Sequence, residues 1–464
     1  MAITSRINPR SVRSFRTFHA LQSQSYRRLW LGNFFSSMGR MMQITLLVWM
    51  VLEMTDSPFL VALVGFFGFL PTLLLGVVGG VLADRVDRRR LLIITHVVNL
   101  VATLAMTVVL NTDLVRFWQA YLVIFVSGAG WALDFPSRRS IIHDLLGDSS
   151  VTNGIALDSV GMHSSRMLGP ALAGVLIVLV NVAGGYVAVT LIYLAAVALM
   201  WSLNLPHRTV PQQSDGETRP GETPPPEGAV HTADRRVFNG AREMARNLAD
   251  GFRYVKGQKT ILATLMITVL MNLLLFPYQQ MVPVIARDIL DVGPGLMGVL
   301  MSAEGIGALF GAVAIASSGN LKFQGRVYMA GSMLAMTALL LFSFSHWYAL
   351  SLPLLMVMGL GAAGFGTMQA TIMMLVAREE MRGRALGVTS LAIGTMPLGA
   401  LMIGGVASAV SPTFAIGLNA SLGLVLIALV GLLAPSLRQR IVPHEGQQAH
   451  AGQLEPRPVS TEGT

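Results

Sequence analysis

Long apolar runs and short polar breaks alternate along this chain. Runs near 28–53, 58–83, 90–111, 117–140, 152–180 and 183–204 are each long enough to cross a bilayer as a helix, which takes roughly 20 residues. Six more fall near 260–286, 294–317, 325–345, 347–376, 385–409 and 412–434. This pattern predicts an all-α integral membrane protein of twelve transmembrane helices. Six form an N-terminal bundle over 28–204 and six a C-terminal bundle over 260–434. The interval 205–259 is polar and holds Pro220, Pro224, Pro225 and Pro226, the composition of a linker. Within it, 238–256 sets Phe238, Met244, Leu248, Phe252 and Tyr254 among charges, which predicts a surface helix. In 1–27, Phe15, Phe18, Leu21 and Tyr26 interleave with five Arg residues, as in an amphipathic segment lying on a membrane; a disordered basic tail fits the same residues. Residues 435–464 read as a disordered tail.

Composition agrees with this reading. Charged residues make up 12% of the chain and mean hydropathy is +0.61, whereas a soluble domain carries roughly 25% charge. The net charge of +9 is not spread evenly. Of the 33 Lys and Arg residues, 29 fall in the segments on the N-terminal side of the membrane. Only Arg116 and Arg287 fall in loops on the other side, while Arg40 and Arg166 lie inside spans. The positive-inside rule then puts both termini in the cytoplasm. It accounts for the basic balance through anionic lipid, without nucleic acid. There is no cysteine, hence no disulfide and no thiolate metal site. The sequence carries no phosphate-binding loop and no metal-ligand spacing, so the expectation is a non-enzyme without cofactor or metal.

The turn after the second span reads Gly80-Val-Leu-Ala-Asp84-Arg85-Val-Asp87-Arg88-Arg89-Arg90. It resembles the signature loop of the major facilitator superfamily, with Asp87 where many members have Gly. The run from Asp84 to Arg90 is similar to the subgroup of siderophore and drug exporters, the transmembrane secretion effector or enterobactin-exporter-like group. That resemblance implies two six-helix, pseudo-symmetric bundles, the major facilitator fold, rocking around a central cavity. It also implies a gating latch of Gly80, Asp84, Arg85, Arg88, Arg89, Asp134 and Gly383. In such a latch Asp84 meets the start of the eleventh helix near Gly383, where a helix N-terminus favours an acid. The resemblance favours Asp134 as a charge relay with this loop, a local pair with Arg138 at i+4 being the alternative. The subgroup resemblance also implies a cell inner (plasma) membrane. In span five, Gly161, Gly169, Pro170 and Gly174 look like a degenerate form of the helix-bending motif of family exporters; an ordinary small-residue packing seam also fits them.

Ionisable groups inside a bilayer are costly and usually face a cavity. Counted from the cytoplasmic ends at about 1.5 Å per residue, Arg40, Arg166 and Glu304 share one depth, near the midplane. Asp158 sits shallower in span five, at a depth like that of Asp134. Glu304 is therefore a candidate proton-titrating or substrate-contacting carboxylate, with Arg166 or Arg40 as alternating partner, or else part of a static pair that tightens packing. Gln43, Asn272, Gln279, Gln280 and His163 are polar candidates nearby, whereas His96 reads as a packed histidine. Together these features predict a monomeric secondary transporter exporting small amphipathic or hydrophobic molecules by proton antiport. An uncoupled facilitator or importer, and a non-transporting membrane sensor or assembly factor, are the alternatives.

Overall fold

The computed structural model describes residues 19–439 except Val86, Asp113, 204–245, 247–248, 319–322 and 379–380; the side chains of 76–86, Arg88, 135–136, 139–140, 148–149, Thr152 and Arg382 are outside the description. The N-terminal segment to residue 18, most of the linker and the tail from 440 thus lie outside the described residues.

A short 3-10 turn, His19–Gln22, leads into α1, Gln24–Thr55. Ser23 caps α1, its hydroxyl accepting from the Tyr26 amide at 3.4 Å. Asp56 ends it in the left-handed conformation at φ 49°. α2, Pro58–Arg85, turns sharply into α3, Arg88–Leu110, and Asp87 makes that turn by accepting from the amides of Arg89 (2.9 Å) and Arg90 (3.2 Å). An N-cap carboxylate is what a helix start carrying three Arg residues needs, which explains an Asp at this position.

The helical stretch Phe117–Trp201 changes direction twice. It bends at Gly147 (φ 62°) and at Val180–Asn181 (Asn181 φ 59°), conformations that Gly and Asn adopt most readily. The bends divide it into α4 (117–146), α5 (148–179) and α6 (182–201). The described linker residues 249–257 are helical and break at Gln258 before α7. α7 is composite: Lys259–Leu270, a π-helical turn Met271–Leu275, then Tyr278–Asp288. α8 is Pro294–Ser317, α9 Gln324–Ser343 and α10 Tyr348–Val376. α11 runs Arg382–Ile393 and Met396–Ala409, and α12 is Pro412–Leu433. Twelve helices of membrane length thus follow one another as the hydropathy predicts.

The halves meet along two seams, α5 with α8 and α2 with α11. Along the first, backbones touch directly. A Cβ on Gly298 would stand 2.9 Å from the Cα of Gly174, and one on Gly305 would stand 3.0 Å from the Met167 amide nitrogen. In a bilayer such backbone approach replaces the hydrophobic drive that lipid cannot supply. The α5 backbone stays helical through Gly169–Pro170, and its non-helical departures are at its two ends. Gly169 packs against Met38 and Met41 of α1, so α5 presents small residues to α1 on one side and to α8 on the other.

Call the face carrying the α2–α3 turn, the Gly147 bend and the α10–α11 connection the basic face. The apolar core is divided unequally between the two faces. One cluster joins both halves toward the opposite face, with Val51, Leu52 and Val61 beside Met281, Val282, Ile285 and Ile403. Toward the basic face there are two clusters, one per half. Tyr26, Leu29, Ile141 and Met200 form one; Ile261, Leu265, Met373 and Val388 form the other. Among the described residues, the halves therefore share an apolar cluster toward the opposite face and keep separate ones toward the basic face.

Replacing Gly298 by Val should overpack the α5–α8 seam and cost about 1–3 kcal/mol, read as a lowered melting temperature in detergent. Gly366→Ala should leave it unchanged, because a Cβ at Gly366 meets nothing within 4 Å.

Candidate functional site

Glu304 lies ten residues into α8, roughly 15 Å from its start at 1.5 Å per residue. Its side chain is buried at 6% exposure, and one oxygen, Oε2, accepts from the Tyr278 hydroxyl at 2.6 Å and the Gln279 Nε2 at 2.7 Å. Both donors come after the π-helical turn of α7 and Pro277. A π-turn inserts one residue into the helical register and rotates the rest of the helix about its axis, which is how consecutive residues come to aim at one carboxylate. On the other side of Glu304, the backbone of α5 at Arg166–Met167 packs against Gly305. Arg166 is exposed although it lies at mid-depth, and it makes no ion pair or hydrogen bond among the described residues. His163, one turn earlier in α5, lies within electrostatic reach of both Arg166 and Glu304. The structure thus brings Glu304, Arg166 and His163 together at the junction of the halves, with Tyr278 and Gln279 holding the carboxylate.

Arg40 sits elsewhere. It is 4% exposed, donates to the Ser127 carbonyl at 3.0 Å and lies over the rings of Trp131 (5.1 Å) and Phe69 (5.8 Å). All of these are in the first half, so the expected alternation between Glu304 and Arg40 finds no contact in this structure. Equal depth fixes a residue's height in the membrane, but rotation about the helix axis decides what it faces. Asp134 forms its ion pair with Arg138, one turn on, and Arg138 reaches the Asp158 carboxylate at 3.5 Å. Asp158 therefore joins this first-half network rather than the neighbourhood of Glu304.

Of the loop residues, Gly80, Asp84 and Arg85 end α2 and Arg88 starts α3, but their side chains lie outside the described residues, and so does the Asp84 contact. Arg89 donates to the Trp201 carbonyl at the end of α6 (3.1 Å). Gly383 is exposed, and a Cβ there would meet nothing within 4 Å. In α5, Gly161 lies against the Trp30 indole, while Pro170 and Gly174 line the seam to α8.

On the opposite face a clamp appears that sequence reasoning missed. Arg287, ending α7, pairs with Asp56 at 2.8 Å and donates to the Leu52 carbonyl at 3.3 Å. Ser408 of α11 accepts from the Phe59 amide at the start of α2 at 2.9 Å. The second half thus caps both helix ends of the α1–α2 hairpin, one carbonyl and one amide. The signal was available: Arg287 is one of only two Lys or Arg residues in loops on that side.

Two six-helix halves, joined by a shared apolar cluster toward one face and carrying a buried carboxylate where they meet, are the architecture of a membrane transporter. The model of the transmembrane secretion effector family matches residues 15–216 and 232–457, and the chain belongs to that family of the major facilitator superfamily. The staphyloferrin A transporter of Staphylococcus aureus is 24% identical over 381 residues, 81% of this chain and 86% of the relative. Macrolide efflux protein A of Streptococcus pyogenes is 20% identical over 388 residues, 81% of this chain and 87% of that protein. Among solved structures, a POT family transporter superimposes with a TM-score of 0.70 at 11% identity, covering 89% of this chain and 96% of its own. A bacterial homologue of the human lysosomal transporter Spinster, inward-facing and unoccupied, gives 0.63 at 13% identity over 90% and 96%. These likenesses agree on the fold. The chain is a multi-pass membrane transporter with efflux-type relatives, and not an enzyme.

Arg287→Ala should loosen the opposite face. A partly exposed ion pair contributes about 0.2–1 kcal/mol, so labelling of a cysteine placed at Ala407 by an impermeant maleimide should accelerate by up to about fivefold. Unchanged labelling would mean that the apolar contact alone holds this face shut.

Proposed function

We propose that this protein exports small amphipathic or hydrophobic molecules, drug-like or siderophore-like, from the cytoplasm by proton antiport with alternating access. In this reading it works as a monomer in the cell inner membrane with both termini cytoplasmic, so the basic face is the inner one. Cargo taken up from that side would meet a buried carboxylate at the junction of the halves. The observation that carries the reading is Glu304, held by two neutral donors near Arg166, which makes no ion pair among the described residues. A buried carboxylate at such a junction is where a proton and cargo can compete for one site. The cargoes for which two relatives are named, staphyloferrin A and macrolides, support a bulky organic substrate and leave its identity to experiment.

Glu304→Gln keeps the side chain's size and an acceptor oxygen while removing its titration. In inverted vesicles loaded through an imposed pH gradient, uptake of a radiolabelled macrolide or an iron-free siderophore should fall to the level of de-energised vesicles. Exchange of the same compound across vesicles without a gradient should persist. Retained gradient-driven uptake in the variant would take the coupling away from Glu304, and uptake by the native protein that ignores the gradient would support an uncoupled carrier.

A further inference from the structure

A second buried ionisable cluster lies wholly inside the first half, and the antiport reading does not use it. A small polar pocket is lined by Arg40 of α1, His96 and Asn99 of α3, Ser127, Trp131 and Asp134 of α4, and Tyr193 of α6. Its free space is about 10 Å³, room for a single water and too small for any organic cargo. Among the described residues, four buried polar atoms of this pocket have no hydrogen-bond partner: His96 Nε2, Asp134 Oδ1, Asn99 Oδ1 and the Ser127 hydroxyl. Their residues are 1%, 6%, 7% and 2% exposed.

The hydrogen bonds fix the state of the histidine. His96 Nδ1 lies 2.8 Å from the Leu92 carbonyl, one turn back, and a carbonyl only accepts. Nδ1 therefore carries the proton and Nε2 holds the bare lone pair. Asp134 is bound on one oxygen by Arg138, leaving Oδ1 bare. A lone-pair nitrogen and a carboxylate oxygen, both buried in one small pocket and both lacking a donor, lack one thing in common: a proton.

We propose that this pocket is a proton-binding site, in which one proton, relayed by a single water, is taken up by His96 Nε2 and Asp134 Oδ1. Sodium would suit the bare oxygens but not the Arg40 guanidinium that lines the same pocket. The charged and titratable groups facing His96 are Arg40 from α1, Asp134 and Arg138 from α4 and Tyr193 from α6, with Asp158 of α5 behind Arg138. Protonating the pair weakens the hold of Asp134 on Arg138 and leaves Arg138 to Asp158, which tightens α4 against α5 at the basic face. The pocket would thus sense protons in the half that lacks Glu304, on a helix that leads toward the basic-face bend at Gly147. Its place in transport rests on the proton-antiport reading, whereas its titration does not.

The absence of native cysteine makes the test direct. Gln24→Cys and Lys256→Cys place spin labels on the basic face of each half, in a Glu304→Gln background so that Glu304 contributes nothing. The distance between labels should change as the pH is lowered from about 8 through and below the ordinary histidine range. His96→Gln should abolish the change. Should that variant not fold, Asp134→Asn removes the other half of the site and must do the same. A pH response that persists in a folded variant, no response in the background protein, or a response to sodium at fixed pH would each overturn the proposal. Gradient-driven transport separates it from the Glu304 assignment. Loss in His96→Gln with Glu304→Gln unaffected sinks the latter and leaves this site standing, and the converse sinks this one.

Discussion

Two halves of a membrane protein can rock against each other only where nothing stands between their backbones. In this fold that constraint is met where α5 crosses α8, at Gly174 and Gly298, whose Cα atoms leave no room for a side chain between them. Lipid offers no apolar incentive for helices to associate, so this backbone contact and the shared core at the opposite face do the joining. The remaining architecture depends on that axis. Glu304 and Arg166 are brought near each other because Gly305 continues the seam toward mid-depth. Among the described residues, the two apolar clusters toward the basic face each stay within one half.

The two sets of buried charge are built on different plans. Glu304 is held by neutral donors from a neighbouring helix, with a cation close by but unpaired. In the first half, Arg40, Asp134, Arg138 and Asp158 form a chain in which each charge already has a partner or an aromatic face. The first plan suits a group whose charge changes, since a neutral donor tolerates either state. The second suits charges that hold helices in register, and only the bare atoms around His96 set part of it apart.

Depth along a helix is legible from counting residues; rotation is not. The spans and the meeting of Glu304 with Arg166 come from counts of rise per residue. The pairing of Asp134 with Arg138 comes from i+4 spacing. Arg40 shares the same depth, yet its direction depends on how α1 packs on α4, which no local pattern records. The π-turn at Met271–Leu275 left no mark other than the Pro277 after it, so the convergence of Tyr278 and Gln279 on one oxygen was hidden. Asp87 was legible in principle, as an acid opening an Arg-rich helix, and its capping role accounts for the departure from the usual Gly. The partnerless nitrogen of His96 was not, because its tautomer is set by a carbonyl on its own helix and its facing acid comes from another.

The unequal division of the apolar core carries a consequence for the energetics of the cycle. Separating the halves at the opposite face would expose apolar surface that the shared cluster now buries, whereas the two clusters toward the basic face are internal to one half each. The arrangement seen is thus the one this packing favours, and any rearrangement that opened the opposite face would have to make up the lost burial.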